Sequence, residues 1–558
     1  MSDSSCIKRV DTPHEGSASQ VNRNPYSSMS VPCFPSSFRA PNLLGAEFLA
    51  IEAAVVTNHS TPVPKGWRFS QPSVDVQNAT FCNVTLTYTH PGQNDTLNVE
   101  VWLPLAEEWN GRFQAVGGGG WNAGRFPLSW MGMAGAVADG YATATTDAGL
   151  GDAYDPLPWS FVSPGNVNLY ALQNLGLVSL GDEAIIAKDV INSYYGKPPS
   201  YSYWNGCSQG GRQGVMLAQQ FPTAYDGIIS AAPGVYWAEM FFSNIWPTFY
   251  MEITRQYPRG CELNELTAIA TSICDPLDGV KDGLISDPEG CRAAFNPFDH
   301  IGTSFNCVGK GFADTIKITK AAAAVANAAY KGPVFSNGKP LWYGFEIGTD
   351  LSYIAPTNCT NTGCVATGNE MIELWHNSFD ITNTPLDFSN LTHKDFDNMY
   401  RMAKRTYAPF LATNERDLSE FRDAGGKMIT FHGLIDPIIP AESSLAYYKA
   451  VSSFLDDTQD FYRYYRAPGL SHCLGGSGGQ PEQLFAQLRE WVENDKAPEE
   501  SPVLITTPDK KTQQQILCNF PKKAVLDSSY SDANNTECWS CVDEQQIPSK
   551  RNGQQILH

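Results

Sequence analysis

The stretch that most constrains this chain is Gly206-Cys207-Ser208-Gln209-Gly210. It matches G-x-S-x-G, the pattern in which a serine occupies a strained turn between a strand and a helix, with its hydroxyl exposed at the top of a parallel sheet. Glycines at 206 and 210 allow a close approach in that turn where a Cβ would clash. Five residues of common types also occur as a Gly-rich surface turn, so the flanking sequence has to decide. Residues 201–204 read as a short apolar strand, 212–221 as a helix carrying Val215, Met216, Leu217 and Ala218, and 225–233 as the next buried strand. Strand, elbow, helix and strand is the context the motif requires.

Upstream, Leu97, Val99, Val101 and Leu103 alternate with Asn98, Glu100 and Trp102, which predicts a strand stopped by Pro104. Residues 112–116 predict another, running directly into the four glycines 117–120. A glycine loop after an early strand supplies one backbone N–H of an oxyanion hole, with the residue after the nucleophile supplying the other. The candidates are therefore Gly119 in the loop and Gln209 in the elbow; a flexible linker is the alternative for the glycines. Residues 140–145 add a β-rich run, and Leu177, Leu180, Ala184, Ala187 and Ile191 recur at close to period 3.6, predicting a helix over about 175–195. Strands alternating with helices predict an α/β fold with a mostly parallel sheet, an α/β-hydrolase core.

A nucleophilic serine needs a base, and the base needs an orienting carboxylate; in this fold their order is Ser, Asp or Glu, His. Apart from the terminal His558, the histidines after Ser208 are His300, His376, His393, His432 and His472. His472 lies in a Pro/Gly-rich loop after the aromatic run 461–465, and Asp436 follows a strand-like run that begins at Lys427. His432 is the rival base, but it shares the segment of Asp436 and reads as structural. Cys207 precedes Ser208 directly, and Cys473 follows His472 directly. A disulfide between them would hold their Cα atoms about 5.5 Å apart and fasten base to nucleophile; two unrelated cysteines are the alternative.

About 230 residues separate Ser208 from Asp436, far more than the strand or two a hydrolase core needs, so a large insertion is expected. The predicted organisation is a disordered polar tail at 1–30, core segments at 31–237 and 426–558, and an inserted lid domain at 238–425. Lid aromatics, among them Phe241, Phe242, Trp246, Phe249, Trp342 and Trp375, suit a cover over an apolar acyl group, though most would serve the lid's own core. Within the insertion Asp275, Asp278 and Asp282, interleaved with glycines, offer hard oxygen ligands to calcium. The spacing is equally compatible with an Asp/Gly turn, and it is not an EF-hand.

With 58 acidic against 38 basic residues, a net charge of −20 argues against nucleic acid or an anionic membrane as partner. No run of 18 apolar residues offers a transmembrane helix. Fourteen cysteines and the sequons at Asn58, Asn78, Asn83, Asn94, Asn358, Asn390 and Asn534 point to an oxidising, glycosylating compartment and hence to secretion. The first nine residues carry no apolar signal segment, which leaves a cytoplasmic location as the alternative.

The succession Cys207-Ser208, Asp436, His472-Cys473 resembles the CS-D-HC arrangement of the tannase and feruloyl esterase family, which includes mono(hydroxyethyl) terephthalate hydrolases. The similarity extends from about Cys33 to the C-terminus and includes 140–147 and 432–437. It implies Ser208 as nucleophile, His472 as general base and then acid, Asp436 as its orienter, and a Cys207 to Cys473 disulfide. It also implies pairs Cys33 with Cys82 and Cys274 with Cys291, the remaining connectivity staying open. A structural calcium would be held in the lid by Asp275, Asp278, Asp282 and the carbonyls of Val280 and Leu284. The implied substrate is a small aromatic ester with a feruloyl, caffeoyl or galloyl-type acyl group, handled by a monomer or homodimer. Two other readings remain: an esterase of the same mechanism acting on a biosynthetic small-molecule ester, and a non-catalytic binding protein on a hydrolase fold, a class that usually loses a triad member.

Overall fold

The computed structural model describes residues 31–543 except 152, 310–311, 361–362, 369–387 and 528–533. The tail expected at 1–30, Trp375 and His376 lie outside the described residues.

Nine strands form one sheet: β1 (Glu47–Val63), β2 (Val74–Thr89), β3 (Leu97–Pro104), β4 (Arg112–Val116), β5 (Ala142–Thr146), β6 (Tyr201–Cys207), β7 (Gly227–Ala231), β8 (Lys427–Gly433) and β9 (Tyr462–Ala467). Their spatial order is β1-β2-β3-β5-β4-β6-β7-β8-β9. The first four neighbours pair antiparallel, and from β5 onward every pairing is parallel. The parallel strands are buried on both faces, as βαβ crossovers require. Along β7 and β8, Ile228 and Met428 point into one core while Ile229 and Phe431 point into the other.

One face is covered by α2 (Ser179–Tyr195), α3 (Gln209–Gln220) and α8 (Ala441–Ser452), whose apolar residues share a cluster with β2 and β3. The other is covered by α1 (Pro127–Ala138) and α9 (Leu484–Asn494). The helix expected over 175–195 begins instead with a π-helical turn, Asn174–Val178, and becomes α-helical at Ser179. Its carbonyls are drawn away by a buried side chain, described below.

β7 and β8 are neighbours in the sheet although the chain between them runs from Ala232 to Gly426. None of its described residues joins the nine strands. It holds α4 (Trp237–Thr254), α5 (Gly260–Cys274), α6 (Lys320–Lys331) and α7 (His393–Thr406). Phe242, Trp246 and Phe249 of α4 pack on Phe396 of α7. The same cluster takes in Trp121, Trp159, Leu172 and Leu175 from before the elbow, so the insertion and the core's first loops share apolar contacts. A second cluster around α5 and α6 is strapped by Cys261–Cys307 and Cys274–Cys291.

Candidate active site

β6 carries the chain up the middle of the sheet, between β4 and β7, to Ser208. Ser208 has φ 62° and ψ −120°, a conformation that side chains rarely adopt and that a surrounding fold must enforce. Its N–H donates to Ala231 O at 3.0 Å, and the N–H of Gly210 donates to Gly118 O at 3.1 Å. A Cβ on Gly206 would sit 2.4 Å from Gly210 O, so only glycine lets the strand end lie against the first turn of α3. The Gln209 N–H, first of that helix, has no acceptor within the helix.

The glycine loop is more ordered than a flexible segment. Gly117 N–H donates to Asn205 O, and Gly118 N–H to Oε1 of Gln213 on α3. Gly119 and Asn122 exchange backbone hydrogen bonds at 3.1 and 3.0 Å, closing a tight turn with Gly120 at φ 59°. The N–H of Gly119, the loop donor expected from the sequence, is thus paired within the turn. Gly120 keeps the one loop-glycine N–H that has no partner among the described residues.

Asp436 lies in the turn after β8 and His472 in the loop after β9. His472 Nδ1 is 2.7 Å from Asp436 Oδ2. An ionised carboxylate only accepts, so Nδ1 carries the proton and Nε2 is left as the ring's basic atom. Asp436 is 1% exposed. Its Oδ1 accepts the N–H groups of Ile438 and Ile439 at 2.8 and 2.9 Å. Burial alone would raise its pKa; the charge of His472 and hydrogen bonds from His432 and His472 hold it well below the usual carboxylate range. Cys207 and Cys473 are joined with Cα atoms 6.0 Å apart, so the residue before the serine is bonded to the residue after the histidine.

His432 is part of this arrangement. Fully buried, its Nε2 lies 3.0 Å from Asp436 Oδ2 and 3.1 Å from Ile439 O, while Nδ1 lies 2.7 Å from Ser444 Oγ. Two acceptors on Nε2 make it the protonated nitrogen and leave Nδ1 to accept from Ser444. One carboxylate oxygen therefore serves two imidazoles.

In the insertion, Asp275 Oδ1 accepts from the N–H groups of Asp282 and Gly283, Asp278 Oδ1 from Val280, and Asp282 Oδ1 from Leu284. Gln515 of the C-terminal region donates to Asp282 Oδ2. Burial pushes Asp278 up to about 7, with the negative charges of Asp282 and Asp275 adding to it. Among the described residues no three His, Cys, Asp or Glu side chains converge as a ready-made metal centre. The trio has the oxygen-donor chemistry a hard cation takes; its oxygens meet backbone N–H groups here.

Cys33–Cys82 and Cys274–Cys291 are bonded, as are Cys261–Cys307, Cys359–Cys364 and Cys518–Cys541. No described cysteine is free. No described helix is long and apolar enough to cross a membrane.

The family model for tannase and feruloyl esterase matches residues 82–541. A probable feruloyl esterase of Arthroderma benhamiae is 34% identical over 517 residues, covering 91% of this chain and 93% of its own. A mono(2-hydroxyethyl) terephthalate hydrolase of Piscinibacter sakaiensis is 27% identical, covering 79% of this chain and 81% of its own. The solved tannin acyl hydrolase of Aspergillus niger superposes with TM-score 0.81 at 24% identity, covering 92% of this chain and 95% of that one, which shows a common fold. The chain belongs to the tannase and feruloyl esterase family and is a carboxylic ester hydrolase.

Proposed function

We propose that this chain hydrolyses esters of aromatic acids, phenolic feruloyl, caffeoyl or galloyl-type esters foremost, through an acyl-enzyme on Ser208. The observation that carries the reading is the His472–Asp436 pair, bonded through Cys473 to the residue beside the serine. Ser208 Oγ attacks the ester carbonyl while its proton passes to His472 Nε2, and the carbonyl π pair moves onto oxygen. The Gln209 N–H receives that oxyanion, with the Gly120 N–H as second donor in place of Gly119's. Collapse expels the alcohol, which takes the proton from His472; water then repeats the sequence on the acyl-enzyme. Relatives named for feruloyl esters, tannins and a terephthalate half-ester have an aromatic acyl group in common, which supports that class here.

Calcium belongs to the same proposal: Asp275, Asp278 and Asp282 with the carbonyls of Val280 and Leu284 would hold it, as a structural clamp on the insertion. Secretion does also, supported by six disulfides and by exposed sequons at Asn58, Asn78, Asn94, Asn358, Asn390 and Asn534. Asn83 is the exception, half-buried with its amide donating to Glu100.

The test is steady-state hydrolysis of methyl ferulate, methyl caffeate, methyl gallate and 4-nitrophenyl acetate by the wild type and Ser208→Ala. The expected result is turnover of the phenolic esters, with a loss on the order of 10⁶-fold in kcat for the variant. Turnover of 4-nitrophenyl acetate alone would overturn the substrate class; turnover of none would overturn the reading itself.

A further inference from the structure

Arg212 lies one turn beyond the nucleophile on α3, and none of its surface reaches solvent. Its side chain runs back toward the helix N-terminus, as long helical side chains do. Nε donates to Oε1 of Gln209 at 2.8 Å, and the two Nη atoms donate to the carbonyls of Gly176 and Leu175, each at 3.0 Å. Those carbonyls belong to the π-helical turn before α2, and the Trp237 ring stacks at 5.7 Å from the guanidinium carbon. Every partner is neutral. Burial alone, with no acidic neighbour contributing, draws the guanidinium down to about 9, so it is charged at neutral pH.

A buried cation without an anion is costly, because the desolvation penalty is offset by dipoles alone. Capping two carbonyls does not call for a charge, since a neutral amide donates equally well. The charge makes sense where an anion forms transiently. Arg212 N–H donates to Ser208 O at 2.9 Å, and the side chain that Arg212 grips belongs to Gln209, whose N–H faces the developing oxyanion in the mechanism above. In a dry site a fixed positive charge stabilises that oxyanion without reorganisation, and it adds to the positive end of the α3 dipole.

We propose that Arg212 is an electrostatic positioning residue for both acyl-transfer steps, its uncompensated charge favouring the oxyanion over the neutral ester while its grip on Gln209 fixes the first turn of α3. This rests on the ester hydrolase reading.

Arg212→Met and Arg212→Lys, purified beside the wild type, test it through thermal melting, kcat and KM on the best methyl ester, and the Ki of phenylboronic acid. Boron accepts the Ser208 Oγ lone pair and becomes an anionic tetrahedral adduct, the proton going to His472. Arg212→Met should lower kcat about 100-fold and weaken phenylboronic acid by a similar factor, with KM within about threefold. Arg212→Lys, which keeps the charge, should stay within about tenfold of wild type in both. A purely structural role would lower the melting temperature and leave the ratio of Ki to KM unchanged, which overturns the inference. So does undiminished kcat in Arg212→Met. Should the Met variant not fold, a folded Lys variant with phenylboronic acid weakened more than about 100-fold overturns it. A wild type that neither cleaves esters nor binds phenylboronic acid would fail the hydrolase reading and remove the basis of this inference. A wild type that does both, with either variant result above, judges Arg212 alone.

Discussion

Ser208 and His472 are held by opposite means. The serine stands at the end of a strand in the middle of the sheet, and backbone contacts shape its turn: the strained φ, the Gly206 contact with Gly210, and hydrogen bonds from Ser208 to Ala231 and from Gly210 to Gly118. The histidine lies in a loop beyond the edge strand β9, and its position depends on groups from other segments: Asp436 beyond β8, and Cys207 across a sequence separation of 266 residues. A sheet can build one catalytic residue from local backbone. The partner that arrives from far along the chain needs ties, and each tie can be cut separately.

After loss of the nucleophile itself, the largest expected effect is at the carboxylate. Asp436→Asn keeps the shape of the turn but replaces an acceptor of two imidazole N–H groups with an amide, so His472 loses the tautomer that leaves Nε2 basic. A fall in kcat of about 10⁴-fold is expected, with KM little changed. If more than a tenth of the activity survived in steady-state assays, Asp436 would not be what orients His472.

The covalent tie comes next. Cys207→Ser with Cys473→Ser removes a crosslink that closes a very long loop, for which chain entropy alone allows roughly 5–6 kcal/mol. The double variant should melt several degrees lower and lose about ten- to a hundredfold in kcat. Cys33→Ser with Cys82→Ser should lower the melting temperature and leave kcat unchanged, because that bond joins β2 to the chain ahead of β1, away from the triad. Equal kcat losses in the two pairs would remove the distinction between a structural bond and one that positions the base.

These contrasts track what the sequence discloses. The elbow was legible because its constraints are local: two glycines, a strand before and a helix after. Asp436 and His472 were legible through chain order, and the adjacent cysteines drew attention to one histidine among several. Four consecutive glycines, by contrast, look alike in sequence, and only the pairing of Gly119 with Asn122 across the turn shows which N–H is occupied. The π-helical turn was hidden because the side chain that binds its carbonyls, Arg212, lies far along the chain. Likewise His432 read as structural, since nothing in 432–439 announces that the turn folds back to set Ile439 O and Asp436 against one ring nitrogen.

A smaller effect is therefore expected at His432. His432→Phe removes one donor from Asp436 Oδ2, whose pKa is depressed in the folded protein; the loss moves that pKa back up toward the ordinary carboxylate value. The ordinary value of about 4 is still well below neutral, so Asp436 stays ionised at working pH. With one donor fewer the carboxylate is less firmly oriented toward His472, so a roughly tenfold fall in kcat is expected. His432→Gln, which can present an amide N–H in place of Nε2–H, should recover part of it, as steady-state assays of both variants would show. Equal losses in His432→Gln and His432→Phe would make His432 a packing residue.

The smallest effect on turnover is expected from removal of the proposed calcium, which probes the insertion. Among the described residues the Asp275–Asp282 loop makes no hydrogen bond to Asp436 or His472, and Leu284 just beyond it packs in the cluster that holds Cys207 and Cys473. The Cys274–Cys291 bond braces the loop within the insertion, and the Gln515 contact with Asp282 links it to the C-terminal region. A cation there would offset the burial, and the lesser repulsion between the aspartates, that raise Asp278 and Asp282. Chelation by EDTA should lower the melting temperature by a few degrees, with Asp282→Ala doing the same, while kcat in short assays at 25 °C stays within about twofold. An immediate loss of kcat on chelation, without loss of thermal stability, would mean that the insertion's cation reaches the catalytic groups, and the division between locally built serine, tied histidine and separately braced insertion would have to be redrawn.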